Sequence, residues 1–349
     1  MPFANQPVLR GGLLALLAAL LFGISTPLVQ RYGSGLGAFT TAALLYGGAA
    51  IVGALLREPA GREAALRRGD FKRLVCMALF GAVIGPVALA WGLQHTSGTS
   101  ASLMLALEAL FTVLLARLFY AEVMDKRVWL AMLLLLAGGV VLVLDRGYNS
   151  GAQLLGVLAV FAATLAWGLD NTLSRALADR DPGQVVLAKS LLGVSTTSVI
   201  ALVLGESLPS VFSAVALLVI GGIGYGISLR FYLLAQRVFG AARTGSVFAF
   251  APFIGAVFAI TLGEQSISWG MGIGGLLMLA GVVLHLAESH GHEHQHFAMQ
   301  HEHAHRHDDG HHEHQHITVV AGEHSHSHNH SAAQHTHPHA PDLHHSHSH

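Results

Sequence analysis

Residues 94–122, QHTSGTSASLMLALEALFTVLLARLFYAE, and residues 236–264, QRVFGAARTGSVFAFAPFIGAVFAITLGE, align without a gap at a shift of 142. Gln94 falls on Gln236, Gly98 on Gly240, Phe111 on Phe253 and Glu122 on Glu264, and further on Gly139 to Leu142 fall on Gly281 to Leu284. At a shift of 145, Phe22 and Gly23 fall on Trp167 and Gly168. The chain is therefore an internal duplication. Each paired stretch contains a mostly apolar run about as long as the ~20 residues needed to cross a hydrocarbon core of roughly 30 Å.

Working outward, ten such runs start near residues 11, 36, 74, 99, 127, 152, 184, 213, 243 and 267. The whole composition agrees, with 52% hydrophobic and 11% charged residues in 349. Such a chain reads as an all-α integral membrane protein of ten transmembrane helices. The first run continues through Pro27 with no small-residue cleavage site, unlike a signal peptide. One cysteine, Cys76, and no CxxC motif exclude a disulfide framework and a structural zinc domain in the apolar part. No soluble catalytic domain has room, so no enzyme is expected, and there is no GxxxxGK[ST] loop for ATP.

Each copy of the repeat holds five runs, and an odd number forces the copies into opposite topology. Domain boundaries follow: a five-helix repeat over 8–145, a second over 151–287, and a tail over 290–349. Basic residues in short loops mark the cytoplasmic side. With the N-terminus inside, Arg10, the six basic residues of Arg57 to Arg73, Arg117, Lys126, Arg127, Arg175, Arg180, Lys189, Arg230, Arg237 and Arg243 fall inside. Only Arg31 and Arg146 fall outside. Both termini are expected in the cytoplasm, in a multi-pass protein of the cell or inner membrane. Inverted repeats of this kind build secondary transporters whose site lies at the repeat interface near the midplane.

The ordered set of Trp167-Gly168, Pro252, Glu264 and the Gly274 to Gly281 run resembles the drug/metabolite transporter superfamily, EamA type, over about residues 8 to 287. The resemblance implies a carrier, most often an exporter of amino acids, other metabolites or toxic compounds. The first repeat departs from the pattern, with Phe22 opposite Trp167 and Leu110 opposite Pro252.

Ionisable groups inside a membrane cost at least about 2.5 kcal/mol unless they face protein or water, so they point to function. Glu108 sits near the middle of the fourth run, and its repeat partner is Phe250. Asp170 and Asn171 lie deep in the sixth run. These three are the candidate substrate or coupling groups, joined by Trp167 as a cavity wall and Met104, one helical turn before Glu108. The competing expectations are a structurally bonded, protonated Glu108 and an Asp170 paired with Arg175. Pro27, Pro86 and Pro252 each free a backbone carbonyl inside a run. Glu122 and Glu264 read as helix-end residues.

The tail carries 23 of the 25 histidines, mostly as HxH. His290, His292, His294 and His296 form one group, His301, His303, His305 and His307 a second, His324, His326, His328 and His330 a third, and His335, His337 and His339 a fourth. Imidazole suits zinc, nickel, cobalt and copper, and in an extended chain residues i and i+2 face alike. The composition leads to the expectation of a disordered, metal-binding tail. No cofactor is required for transport. The expected partners are a small-molecule or ion substrate and the lipid bilayer, not nucleic acid, and monomer and homodimer both stay open.

Three classes of function remain: a gradient-driven carrier of a small polar solute with a metal-sensing or buffering tail, a transition-metal carrier whose tail collects the ion, and a membrane-tethered metal store. The duplication argues against the store. The scarcity of histidine and cysteine in the core argues mildly against metal as cargo.

Overall fold

The computed structural model describes residues 7–58, 62–120, 126–145, 151–239, 241–263 and 268–286, together with 290–296, 299–305, 324–330 and 333–339 of the tail. Among the described residues nine helices are long and apolar enough to cross a bilayer. They are span 1 (Arg10–Gly33), span 2 (Ala38–Leu55), span 3 (Arg68–Leu93), span 4 (Gly98–Phe119), span 5 (Lys126–Leu144), span 6 (Leu154–Leu177), span 7 (Pro182–Val203), span 8 (Val211–Arg237) and span 9 (Thr244–Thr261). A shorter apolar helix, Trp269–Leu284, is span 10. The third begins earlier than expected because the turn Arg68–Asp70 leads straight into it. Glu122 and Glu264 lie outside the described residues. Leucines and valines such as Leu118, Leu144, Val203 and Leu276 stay exposed on the periphery, as a lipid-facing surface requires.

The packing follows the duplication. Span 1 packs on spans 8 and 9, and its counterpart, span 6, packs on spans 3 and 4; span 2 pairs with span 7 and span 5 with span 10. Small residues set the closest approaches, as is usual where lipid supplies no hydrophobic drive between helices. At the crossing of spans 5 and 10, a Cβ on Gly138 would lie 2.6 Å from the Gly274 carbonyl oxygen, and one on Gly281 would lie 2.8 Å from that of Ala131. Any larger residue there would push the helices apart. Spans 2 and 7 are also tied at both ends. Glu206 accepts hydrogen bonds from the Thr40 amide and hydroxyl (both 2.7 Å) at the start of span 2. Across the membrane the Asp181 amide, just before span 7, donates at 2.8 Å to the Ala64 carbonyl of the segment that follows span 2, and Arg180 pairs at 3.0 Å with Asp70 at the start of span 3.

Two irregularities recur in both repeats. Spans 3 and 8 contain π-helical segments, Leu79–Ile84 and Gly222–Ile227. Spans 4 and 9 are each two half-helices, Gly98–Met104 with Leu107–Tyr120 and Ala241–Phe248 with Ala251–Thr261. In span 9 the cause is local, since Pro252 cannot donate to the Phe248 carbonyl one turn earlier. Span 4 has Leu110 at the corresponding place and breaks without a proline, through tight turns such as the Ala106 amide to the Leu103 carbonyl at 2.9 Å.

In the tail, four short segments are described. Strand β1 (His290–His296) pairs antiparallel with β4 (Ala333–His339), and β2 (Met299–His305) with β3 (His324–His330). The alternation of histidine with another residue has the two-residue period of a strand. The registers set His292 opposite His337, His294 opposite His335, His301 opposite His328 and His303 opposite His326. His307 lies outside the described residues.

Candidate functional site

The irregular segments meet at one place. The half-helix that follows the break in span 4 carries Glu108 in its first turn, where the positive end of the helix dipole favours a carboxylate. Glu108 is buried, and its Oε1 accepts a hydrogen bond of 2.5 Å from Asn171 Nδ2 of span 6. One residue earlier, Asp170 is bonded through Oδ2 to the ammonium of Lys189 from span 7. Both members of that ion pair are almost fully buried, and Asp170 Oδ1 has no hydrogen-bond partner among the described residues.

This corrects two readings of the sequence. Lys189 was counted among the cytoplasmic basic residues, yet it lies inside the bundle, about two turns into span 7. Asp170 pairs with Lys189 and not with Arg175. A long basic side chain near a helix end normally reaches the surface; here a carboxylate one span away holds it inside. Gly81 of span 3 makes room, because a Cβ there would meet the Asp170 carboxylate and lie 2.7 Å from Lys189 Nζ.

The π-segment of span 3 supplies a third polar element. In that register the Gly85 amide donates to the Phe80 carbonyl five residues back. The next donor in line, for Gly81, would be Pro86, which has no N–H. The Gly81 carbonyl is left over, and it accepts instead from the Tyr46 hydroxyl and, at 3.1 Å, from Trp167 Nε1. Pro86 therefore frees a backbone acceptor that fixes two aromatic side chains of the site.

Around these groups runs a set of aromatic rings. Phe22 meets Trp167 at 5.5 Å, Tyr225 at 5.6 Å and Phe248 at 5.4 Å between ring centroids, while Tyr232 meets Phe248 at 5.1 Å. These separations are those of favourable edge and tilted contacts. Phe22, Tyr46, Glu108, Trp167, Asp170, Asn171 and Lys189 share with span 8 a cavity of about 50 Å³. The cavity thus draws on both repeats, and it is small. Of the residues singled out in the sequence, Glu108, Trp167, Asp170 and Asn171 come together here. Met104 packs in the apolar core and does not line the cavity. Sequence reasoning missed Lys189, Tyr46, Tyr225, Tyr232 and Phe248; a single lysine within an apolar run was the available signal for the first.

Among the described residues no group of three or more His, Cys, Asp or Glu is placed to hold a metal ion. Within the cavity, the Lys189 ammonium already occupies one of the two carboxylates. A second and larger cavity, about 520 Å³, lies at the end of the bundle where spans 1 and 3 finish, lined by Val29, Gln30, Thr41, Leu93, Gln94 and neighbours.

Comparison with known proteins adds three findings. The model of the EamA-like transporter family matches residues 9–144 and again residues 154–287. An uncharacterized transporter of Methanothermobacter thermautotrophicus is 30% identical over 296 residues, which cover 76% of this chain and 83% of that protein. A solved crystal structure, described only as that of a protein, shares 21% identity with a TM-score of 0.61, covering 79% of this chain and 98% of its own. At that identity the likeness speaks to the fold alone. The histidine tail lies beyond both family matches.

Proposed function

Because the chain belongs to the EamA-like transporter family, we propose that it is a gradient-driven exporter of a small polar solute such as an amino acid or another metabolite. The observation that carries this reading is the cavity shared by both repeats, with a buried carboxylate, Glu108, bonded to an amide and not to a fixed cation. A carboxylate so held can take up a proton or a cation without breaking an ion pair. Asn171 is able to serve either state, accepting through its carbonyl when Glu108 is protonated and donating through its amide when it is not. The Lys189 and Asp170 pair offers opposite charges to the two ends of a zwitterion, and the aromatic rings offer apolar walls. Binding at the repeat interface then couples to alternating exposure of the site.

Both termini are placed in the cytoplasm in this reading, and the tail binds zinc, nickel, cobalt or copper there as a sensor or buffer. Transport of the metal itself is the second reading, in which the histidine-rich tail collects the ion. It is disfavoured in the core by the ammonium that occupies Asp170.

The test is uptake into proteoliposomes under an imposed pH gradient, with a panel of amino acids and of divalent metals, for the full chain and for a chain ending at Ser289. Accumulation of one or more amino acids or other metabolites by both forms supports the exporter. Accumulation of metal alone would replace it with the second reading. A reporter fused after His349 that is active only in the cytoplasm would check the sidedness.

A further inference from the structure

The packing pattern divides the bundle differently from the sequence. Spans 8 and 9 hold span 1, and spans 3 and 4 hold span 6. Each of these groups combines helices of both repeats, and the central cavity lies on the seam between them. At one end the seam is closed by Arg237, the last residue of span 8. Its Nε donates to the Ala178 carbonyl at 3.2 Å and its Nη2 to the Arg180 carbonyl at 2.9 Å, both just past span 6. Its Nη1 bonds Glu63 Oε1 at 2.9 Å, with both side chains about nine-tenths buried. The guanidinium fork is thus engaged on all three nitrogens.

At the other end the same contact recurs in neutral form. Gln94, just past span 3, donates from Nε2 to the Leu36 carbonyl beyond span 1, at 2.9 Å. Gln30 of span 1 donates back to the Leu93 and Thr96 carbonyls at 3.1 and 3.0 Å. Leu36 follows span 1 as Ala178 follows its counterpart, span 6, and Gln94 follows span 3 while Arg237 ends its counterpart, span 8; by sequence Gln94 falls on Gln236, next to Arg237. The two contacts are therefore repeat equivalents on opposite sides of the membrane. Beside the neutral one lies the cavity of about 520 Å³. From Val29 in its wall to Phe22 in the central cavity is seven residues of span 1, about 10 Å of helix. Thr26, between them, has a buried hydroxyl without a hydrogen-bond partner among the described residues.

We infer that Arg237 and Gln94 are the latches of two opposed gates, and that the moving bodies are spans 1, 8 and 9 against spans 3, 4 and 6, not one sequence repeat against the other. The inference rests on the transporter reading above. Each end has three such hydrogen bonds, but the Arg237 latch is charged and nine-tenths buried while the Gln94 bond is exposed, so the protein rests closed at the Arg237 end, with its vestibule at the Gln94 end. Releasing either latch shifts the population toward the state open on that side.

The test uses the full chain with Cys76→Ser and a reporter cysteine, Leu229→Cys, in the wall of the central cavity. Sealed vesicles of both orientations are treated with a membrane-impermeant maleimide. Arg237→Gln should raise labelling from the Arg237 side about fivefold or more and lower it from the Gln94 side, the size expected of a coupling of 1–3 kcal/mol. Gln94→Leu should do the reverse, and its neutral change guards against a fold lost with Arg237. Unchanged labelling in both variants, or a rise from both sides in either, would overturn the inference. Because labelling needs no solute, a reciprocal change in vesicles that transport nothing would count against the transport reading and leave the gates standing.

Discussion

Lys189 of span 7 and Asp170 of span 6 form an ion pair inside the membrane bundle, with neither side chain more than 5% exposed. A charge buried without its partner is far costlier than a pair, so each residue needs the other. Lys189→Ala should destabilise the protein by about 3–5 kcal/mol, as should Asp170→Ala. The double variant Asp170→Asn with Lys189→Met should lose much less. Thermal unfolding in detergent reads the difference, and equal losses for single and double variants would mean that the two charges are not coupled.

The Gly81 carbonyl, orphaned by Pro86, has two donors, so losing one leaves it satisfied. Tyr46→Phe should cost about 1 kcal/mol, the net value of an ordinary hydrogen bond, and Trp167→Phe that much plus the packing lost with the larger buried ring. The two together should cost more than the sum, because only then is a buried acceptor left bare. Additive losses would show that the carbonyl finds another partner.

Truncation at Ser289 removes the tail and no span. Insertion should survive, and most zinc or nickel bound by the full chain should disappear from equilibrium dialysis. Imidazole coordinates only when neutral and titrates near pH 6.5 in isolation. Metal binding should therefore weaken between about pH 7 and pH 5.5. Binding unchanged by truncation or by acidification would assign the metal to other ligands.

Much of this fold was legible because membrane spans announce themselves by length and apolarity, and because duplication left Gln94 on Gln236 and Gly139 on Gly281. Glu108, Asp170 and Asn171 were visible as polar residues in apolar runs. Lys189 was not, since a lysine two turns from a helix end satisfies the charge rule for a cytoplasmic loop equally well. The break in span 4 was hidden because no proline marks it, unlike Pro252 in span 9. The π-segments were hidden too, although Pro86 hinted at a free carbonyl; which carbonyl it frees depends on a register that only the structure supplies. The tail histidines were plain, but the antiparallel registers that set them opposite one another depend on pairing across many residues.

Glu108 is the centre of the account, as the buried carboxylate held by an amide at the start of a half-helix. Glu108→Gln keeps the shape and a hydrogen bond to Asn171 while removing the site for a proton. In proteoliposomes loaded with a transported solute, the variant should still exchange labelled for unlabelled solute at equal pH. It should fail to accumulate that solute when a pH gradient is imposed. Accumulation at the level of the unsubstituted protein would contradict the account and reduce Glu108 to a structural hydrogen bond.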